Sequence, residues 1–205
     1  MPNLHVYWLV AAGVLVLISV IVGRDGDSWF LGVLRDERGR LSLSQTQMYL
    51  WTVVILSLLA AVAFARLFAG VDDPLNIQIP TDLLTVMGIS LGSGALASGI
   101  KAAKDRRAQA DPQALRIRTA PKPHLAQLVR IEEGSGDEVV DLTRFQNLSI
   151  TILLLAVYVT SAWHFLGDIT DLADPLSLPA FGEGMAALLA ISHGGYLAAK
   201  IPDRA

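Results

Sequence analysis

Residues 48–69 read MYLWTVVILSLLAAVAFARLFA, an apolar stretch in which Arg66 is the one charged residue. A helix of about 20 residues rises roughly 30 Å, the thickness of the hydrocarbon core of a bilayer. Backbone groups in lipid must find hydrogen bonds within their own segment, so an isolated stretch of this kind favours a helix over a strand. The stretch therefore predicts a transmembrane helix.

Similar apolar runs occupy 6–22, 83–100, 148–166 and 181–199. Hydrophobic residues make up 53% of the 205 residues and charged residues 17%, against roughly 45–50% and about 25% in soluble domains. The net charge of −3 shows no basic excess that would favour nucleic acid, and the absence of cysteine excludes disulfides. We expect an all-α membrane protein with five transmembrane helices.

The charges of the connecting segments predict an orientation. Lysine and arginine concentrate within 23–47 and 101–147, whereas 70–82 and 167–180 contain neither. Cytoplasmic loops carry the basic excess, so the N-terminus is expected outside and the C-terminus inside. Arg24 follows the first run and no basic residue precedes it, which favours a retained anchor over a cleaved signal peptide.

An internal repeat is expected from three pairs of matching segments. Residues 43–47 correspond to 142–146, Asp73-Pro74-Leu75 to Asp174-Pro175-Leu176, and 88–92 to 190–194. Both copies run in, out and in again, as parallel repeats related by an axis along the membrane normal do. The expected units are an anchor (1–23), a first repeat (24–108), a cytoplasmic linker (109–125) and a second repeat (126–205).

Two local patterns are expected at the start of each repeat. Ser44 with Gln47, and Thr143 with Gln146, have the spacing of capping boxes. Upstream of them, glycine-centred turns predict two small cytoplasmic β-hairpins. The first pairs 33–35 with 41–43 around Gly39, and the second pairs 127–131 with 138–142 around 134–136.

The segments 36–40 (DERGR), 41–47 (LSLSQTQ) and 191–200 (ISHGGYLAAK) carry a resemblance. The sequence resembles uncharacterised bacterial polytopic membrane proteins in which SLSxxQ leads into an apolar helix and an ISxGxYLxxK helix closes a duplicated unit. The resemblance covers most of the chain after Phe30. It implies a multi-pass protein of the bacterial inner membrane and no particular activity.

Small residues recur in the third and fifth runs and predict close helix packing. Such rows allow two helix backbones to approach closely in lipid. The packing either occurs within one chain or joins copies of the chain into an oligomer. The residues concerned are Gly88, Gly92, Gly94, Ala190 and Gly194.

His193 is the most distinctive single residue, because an ionisable group inside a membrane helix is a functional hypothesis by default. It could form a ligand or ion path together with Ser192, Tyr196 and Ser90. The alternative is a neutral histidine that is hydrogen-bonded to Ser90 or Ser93. His164 lies at a different depth from His193, so no metal site is expected.

Two further groups of charges have structural interpretations. Arg66 is expected to form an ion pair on the outer face with Asp82, Asp168 or Glu183, either as a clasp or at a charged channel mouth. A basic cluster follows the third run and is interpreted as an anchor to the inner leaflet. Its members are Lys101, Lys104, Arg106 and Arg107.

The sequence contains no phosphate-binding loop, dinucleotide fingerprint, zinc-protease motif or serine-hydrolase elbow. We therefore expect no enzymatic activity and no cofactor. The favoured function is an integral membrane anchor or scaffold that self-associates or docks a cytoplasmic partner. The alternative is a subunit of an oligomeric ion channel or transporter with a path near His193.

Overall fold

The computed structural model describes residues 3–24, 32–111, 123–132 and 139–201. Five α-helices lie within these ranges: α1 (Leu4–Val22), α2 (Leu43–Phe68), α3 (Thr81–Ala110), α4 (Leu142–Asp168) and α5 (Glu183–Lys200). Two short strands precede α3 and α5: β1 (Ile77–Gln78) and β2 (Leu176–Ser177). Short 3-10 turns at Gly32–Leu34 and Leu125–Leu128 precede α2 and α4.

Helices α1 to α4 are long and apolar enough to cross a membrane. The fifth helix is shorter, with 18 residues, and carries Glu183, His193 and Lys200, which lower its mean hydropathy. Four of the five predicted spans therefore meet the requirement of length and composition on their own.

Helices α2 to α5 form the core of the molecule, in which α2 packs on α3, α4 packs on α5, and α3 packs on α5. Large side chains such as Trp51, Leu58 and Leu154 fill its apolar part. Helix α1 lies against α2 and α4 and buries only Leu4 and Trp8 among its side chains. It is a peripheral helix.

The strands relate the two helical hairpins α2–α3 and α4–α5. Ile77 pairs with Leu176 and Gln78 with Ser177, in parallel. A two-fold axis perpendicular to a strand would reverse its direction, so parallel pairing of equivalent strands requires an axis along the strands. The two hairpins run in the same direction, as expected of parallel copies, while the duplication itself stays a prediction.

The predicted capping boxes are wrong. Helix α2 begins after Ser42, which makes no side-chain cap, and α4 begins after Asp141, whose carboxylate accepts from the backbone N–H groups of Thr143 and Arg144. Ser44 and Thr143 thus lie inside their helices, and Gln146 is exposed. Asp141 serves α4 because a carboxylate is among the best acceptors at a helix N-cap.

The predicted β-hairpins are reduced to single antiparallel bridges, between Arg35 and Leu41 and between Arg130 and Val140. In the first, the Asp36 carboxylate accepts from the N–H groups of Arg38 and Arg40 and closes a turn around Gly39, whose φ is 76°. The predicted turn at 134–136 lies outside the described residues. Ribbons of two short strands are marginal on their own, so 3-10 turns take their place.

Candidate functional site

The bundle has two ends, which we call the cap end, where α2 and α4 begin, and the loop end, where they finish. Polar side chains fill the cap-end half of the interior, although residues there are shielded from solvent. They recur every three or four residues, which places them on the inward face of each helix. Together they form the polar column: Ser44, Gln47, Ser90, Ser93, Asn147, Thr151, His193 and Tyr196.

An amide bridge ties three helices within this column. The side-chain amide of Gln47 donates to Asn147 Oδ1 and, at 2.7 Å, to Thr151 Oγ1. Asn147 Nδ2 in turn donates to the backbone carbonyl of Ser192 at 3.2 Å. Hydrogen bonds from the Gln47 and Asn147 side chains therefore join α2, α4 and α5 across the interior.

His193 packs directly against α3. Its side chain is 2% exposed, and its Nδ1 lies 2.7 Å from Ser93 Oγ. The Ser93 hydroxyl also donates to the carbonyl of Ser90 at 3.1 Å. Because a serine has one hydroxyl hydrogen, this arrangement places a proton on His193 Nδ1 and leaves Nε2 as the acceptor.

Tyr196 connects His193's helix to α2 and to the cap end. Its hydroxyl accepts from Ser44 Oγ at 3.3 Å and from Lys200 Nζ at 3.0 Å. The residues predicted to form a path thus share one interior, since His193, Tyr196 and Ser90 are all buried. Ser192 is half-buried beside them.

A network of buried charges closes the cap end around Glu132, which is 6% exposed. Its carboxylate lies 2.9 Å from Arg144 Nη1, 3.2 Å from Lys101 Nζ and 3.0 Å from Lys200 Nζ. Lys101 Nζ also donates to Asp36 at 2.7 Å. These five residues, the Glu132 cluster, join α3, α4 and α5 to the segments outside the bundle.

The charged state of Glu132 follows from its neighbours. Burial alone would raise the pKa of this carboxyl, but Arg144, Lys101 and Lys200 outweigh burial and hold its pKa well below the usual range. Glu132 is therefore ionised at neutral pH. Breaking one partner out of such a buried network leaves uncompensated charge.

The sequence did not single out Glu132. The signal for it lay in the cations, since Lys101, Arg144 and Lys200 each flank an apolar run at the same end. The inner-leaflet interpretation of the basic cluster needs correction at two of its residues. Lys101 and Lys104 are buried, and Lys101 pairs with the carboxylates of Asp36 and Glu132, whereas Arg106 is exposed.

Arg66 holds the loop end together through backbone groups. Its guanidinium is buried and donates to the carbonyls of Asp174 at 2.9 Å and Asp73 at 3.2 Å. Asp82 instead accepts from the N–H of Gly182 and from the N–H of its own neighbour Leu83. The predicted ion pair of Arg66 with Asp82 or Glu183 is wrong within the described ranges. The guanidinium instead binds backbone carbonyls of the two Asp-Pro turns.

The small-residue rows face outward. Gly88, Gly92, Ala190 and Gly194 are exposed, and a Cβ atom added to any of these three glycines would meet no atom within 4 Å. Gly94 differs, since a Cβ there would lie 3.8 Å from the sulfur of Met48. Gly88, Gly92 and Gly194 therefore face away from the part of the chain that the structure describes.

Among the described residues, no group of three or more His, Asp or Glu side chains could hold a metal ion. The site consists instead of the polar column, the Glu132 cluster and the outward rows. Comparisons with family models, curated proteins and solved structures found no match.

Proposed function

We propose that this chain is a non-enzymatic, multi-pass anchor of the cell inner membrane that self-associates through the outward faces of α3 and α5. The observation that supports it most is the open space outside Gly88, Gly92 and Gly194. In lipid, close backbone approach at small residues replaces the hydrophobic drive for helix association. The bilayer and a second copy of the chain are the expected partners.

The proposal includes α5 as a fifth span. Helix α5 follows α3 along its whole apolar part, because Gly182 meets Asp82 at the loop end and His193 meets Ser93 in the middle. At the cap end, Lys200 and Lys101 reach the same carboxylate. An element that runs beside a spanning helix over that length crosses the same depth, and α3 and α4 shield its polar residues.

The orientation follows from the basic excess of the cap-end segments. It places the cap end in the cytoplasm and the loop end, with the N-terminus, outside. The Glu132 cluster fixes residues 123–132 on the bundle, and Arg144 Nε adds a hydrogen bond to the carbonyl of Leu128 at 3.1 Å. The fixed cap would offer a cytoplasmic partner a rigid surface.

Leucine at both Gly92 and Gly194 is expected to weaken self-association roughly tenfold or more, equivalent to about 1.4 kcal/mol. The added side chains find open space within one chain, so folding is retained, but they hold a second helix away. The measurement is energy transfer between donor-labelled and acceptor-labelled copies in vesicles, titrated with lipid.

Gly195→Leu is the matched control, since Gly195 is equally open but points about 100° away around α5. It should associate like the wild type. Unchanged energy transfer in the double variant, an equal loss in the control, or a wild type that stays monomeric at every lipid ratio would refute self-association through these rows.

The alternative function, a channel or transporter subunit with a path near His193, has one observation in its favour. The interior near His193 is polar, since Asn147 donates to the carbonyl of the adjacent Ser192 and is itself bonded by Gln47, which also donates to Thr151. The described side chains at this depth are almost fully buried, however, with Trp51 1%, Leu189 0% and His193 2% exposed.

A further inference from the structure

An open groove runs between α1 and α2 on the outside of the bundle. Its volume is about 650 Å³, which lies within the roughly 300–1,000 Å³ of typical ligand sites. One face of each helix forms a wall, α1 between Val6 and Leu15 and α2 at Leu56, Ala60, Phe64 and Phe68. None of the described residues that line the groove is charged, so it suits an apolar ligand.

Hydrogen bonds hold the two helices together beside the groove. Trp8 Nε1 on α1 donates to Ser57 Oγ on α2 at 2.9 Å, and both side chains are buried. Nearer the cap end, Ser19 Oγ lies 2.7 Å from the Tyr49 hydroxyl, so a second polar pair bridges α1 and α2 there. The groove is therefore part of the packed arrangement of α1 on the bundle.

The groove covers about half the thickness of a membrane. It extends from the loop end, where the rings of Tyr7 and Phe68 lie 6.2 Å apart, to Leu15 and Leu56 near the middle of the helices. At 1.5 Å per residue its walls are roughly 14 Å and 18 Å long, whereas the hydrocarbon core is about 30 Å thick. An acyl chain of one leaflet has this length, but a transmembrane helix of a partner would cross both leaflets and extend beyond the groove.

We propose that this groove binds one acyl chain of a phospholipid whose head group carries an ammonium, such as phosphatidylethanolamine. A chain in the groove contacts two helices at once, and van der Waals contacts of this kind drive association where lipid removes the hydrophobic incentive. The head group lies at the loop end, where Asp72 and Asp73 are exposed shortly after Phe68. The segments 70–82 and 167–180 contain no lysine or arginine, so this end favours an ammonium over a purely negative head group.

The lipid site rests on the proposed function only because it requires the bundle to lie in a bilayer. Self-association was assigned to the outward faces of α3 and α5, whereas α1 and α2 line the groove. Loss of energy transfer in the Gly92 and Gly194 variant and loss of lipid binding are therefore separate outcomes.

The test is native mass spectrometry of the purified, delipidated full chain in detergent micelles, titrated with phosphatidylethanolamine. The wild type should bind one lipid per chain and saturate. Ala11→Phe combined with Ala60→Phe places a ring on each wall of the groove and should weaken this binding roughly tenfold or more. Gly13→Phe is the matched control, because it adds the same ring to α1 at an open position outside the groove, and it should bind like the wild type.

A second variant tests the groove without adding bulk. Phe64→Ala combined with Phe68→Ala removes two rings that are 51% and 72% exposed, so the core stays intact while one wall is lost. This protein should also bind phosphatidylethanolamine more weakly. Leu67→Ala, at an exposed position of α2 outside the groove, should not.

Wild-type binding that rises without saturation, as contact with the general lipid surface would give, would overturn the site, as would unchanged affinity in both groove variants. Equal affinity for phosphatidylglycerol with the same chains would overturn the assigned head group. A second copy of the chain is the competing occupant. Because the chain contains no cysteine, Ala60→Cys reports it directly, and disulfide-linked dimers of this variant in vesicles would place a second copy, rather than a lipid, in the groove.

Discussion

Replacing Glu132 by alanine is expected to lower the free energy of unfolding by about 3–5 kcal/mol. The change leaves Lys101, Arg144 and Lys200 buried around a missing carboxylate. For a chain of this size the thermal midpoint should fall by roughly 6–20 °C, measured in detergent micelles. Glu37→Ala, which removes an exposed carboxylate from the same end, should change the midpoint little.

Lowering the pH tests whether Glu132 stabilises the fold through its negative charge. The folded pKa of this carboxyl is depressed, so its contribution to stability is fully present above the unfolded value of about 4.3. The contribution is lost as the pH falls through the folded pKa. The stability difference between wild type and Glu132→Gln should therefore shrink below about pH 4, and a difference that stays constant from neutral to acid pH would contradict the ionised cluster.

Replacing Arg66 by methionine is expected to cost about 2–4 kcal/mol, because hydrogen bonds to charged groups are stronger than neutral ones. The carbonyls of Asp73 and Asp174 would both lose their guanidinium donor, and the pairing of β1 with β2 would loosen. The measurements are the thermal midpoint and the hydrogen exchange of the Leu178 amide, which donates to Gln78 across the strand pair.

Arg106→Met is the control for the Arg66 variant, since Arg106 is exposed at the cap end. It should leave both the midpoint and the exchange rate close to those of the wild type. An Arg66→Met protein as stable as the wild type would show that the buried guanidinium does not clasp the two loops.

The helices could be predicted from the sequence because apolar length is a local property. The runs at 6–22, 83–100 and 148–166 lie within α1, α3 and α4, and the run at 48–69 extends one residue beyond the end of α2. The helix starts could not be predicted as well. Asp141 and Thr143 are both good N-cap residues. Which of them caps α4 depends on how the helix packs in the bundle.

The partners of buried charges were beyond prediction for a different reason. The Glu132 cluster joins positions 36, 101, 132, 144 and 200, and its pairing depends on how the helix ends converge. Arg66 was correctly expected to act near the loop end, but its acceptors are backbone carbonyls, which carry no residue-specific signal. Pairing rules based on opposite charges cannot find such acceptors.

The small-residue rows show what a sequence pattern can and cannot predict about helix packing. Their spacing indicated a close-packing face but could not say whether that face turned inward. The same holds for His193, for which both Ser90 and Ser93 were expected as partners and Ser93 is the one that lies within hydrogen-bond distance. In both cases the rotation of the helix about its axis decided the outcome, and that rotation depends on tertiary packing.

The central claim is that the bundle crosses a membrane with its cap end inside and its loop end outside. The chain contains no cysteine, so single cysteines at Asp72 and Arg106, both exposed and at opposite ends, report topology without background. A membrane-impermeant maleimide should label Asp72→Cys from outside intact spheroplasts and Arg106→Cys only after lysis. Labelling of both positions from the same side would contradict the account.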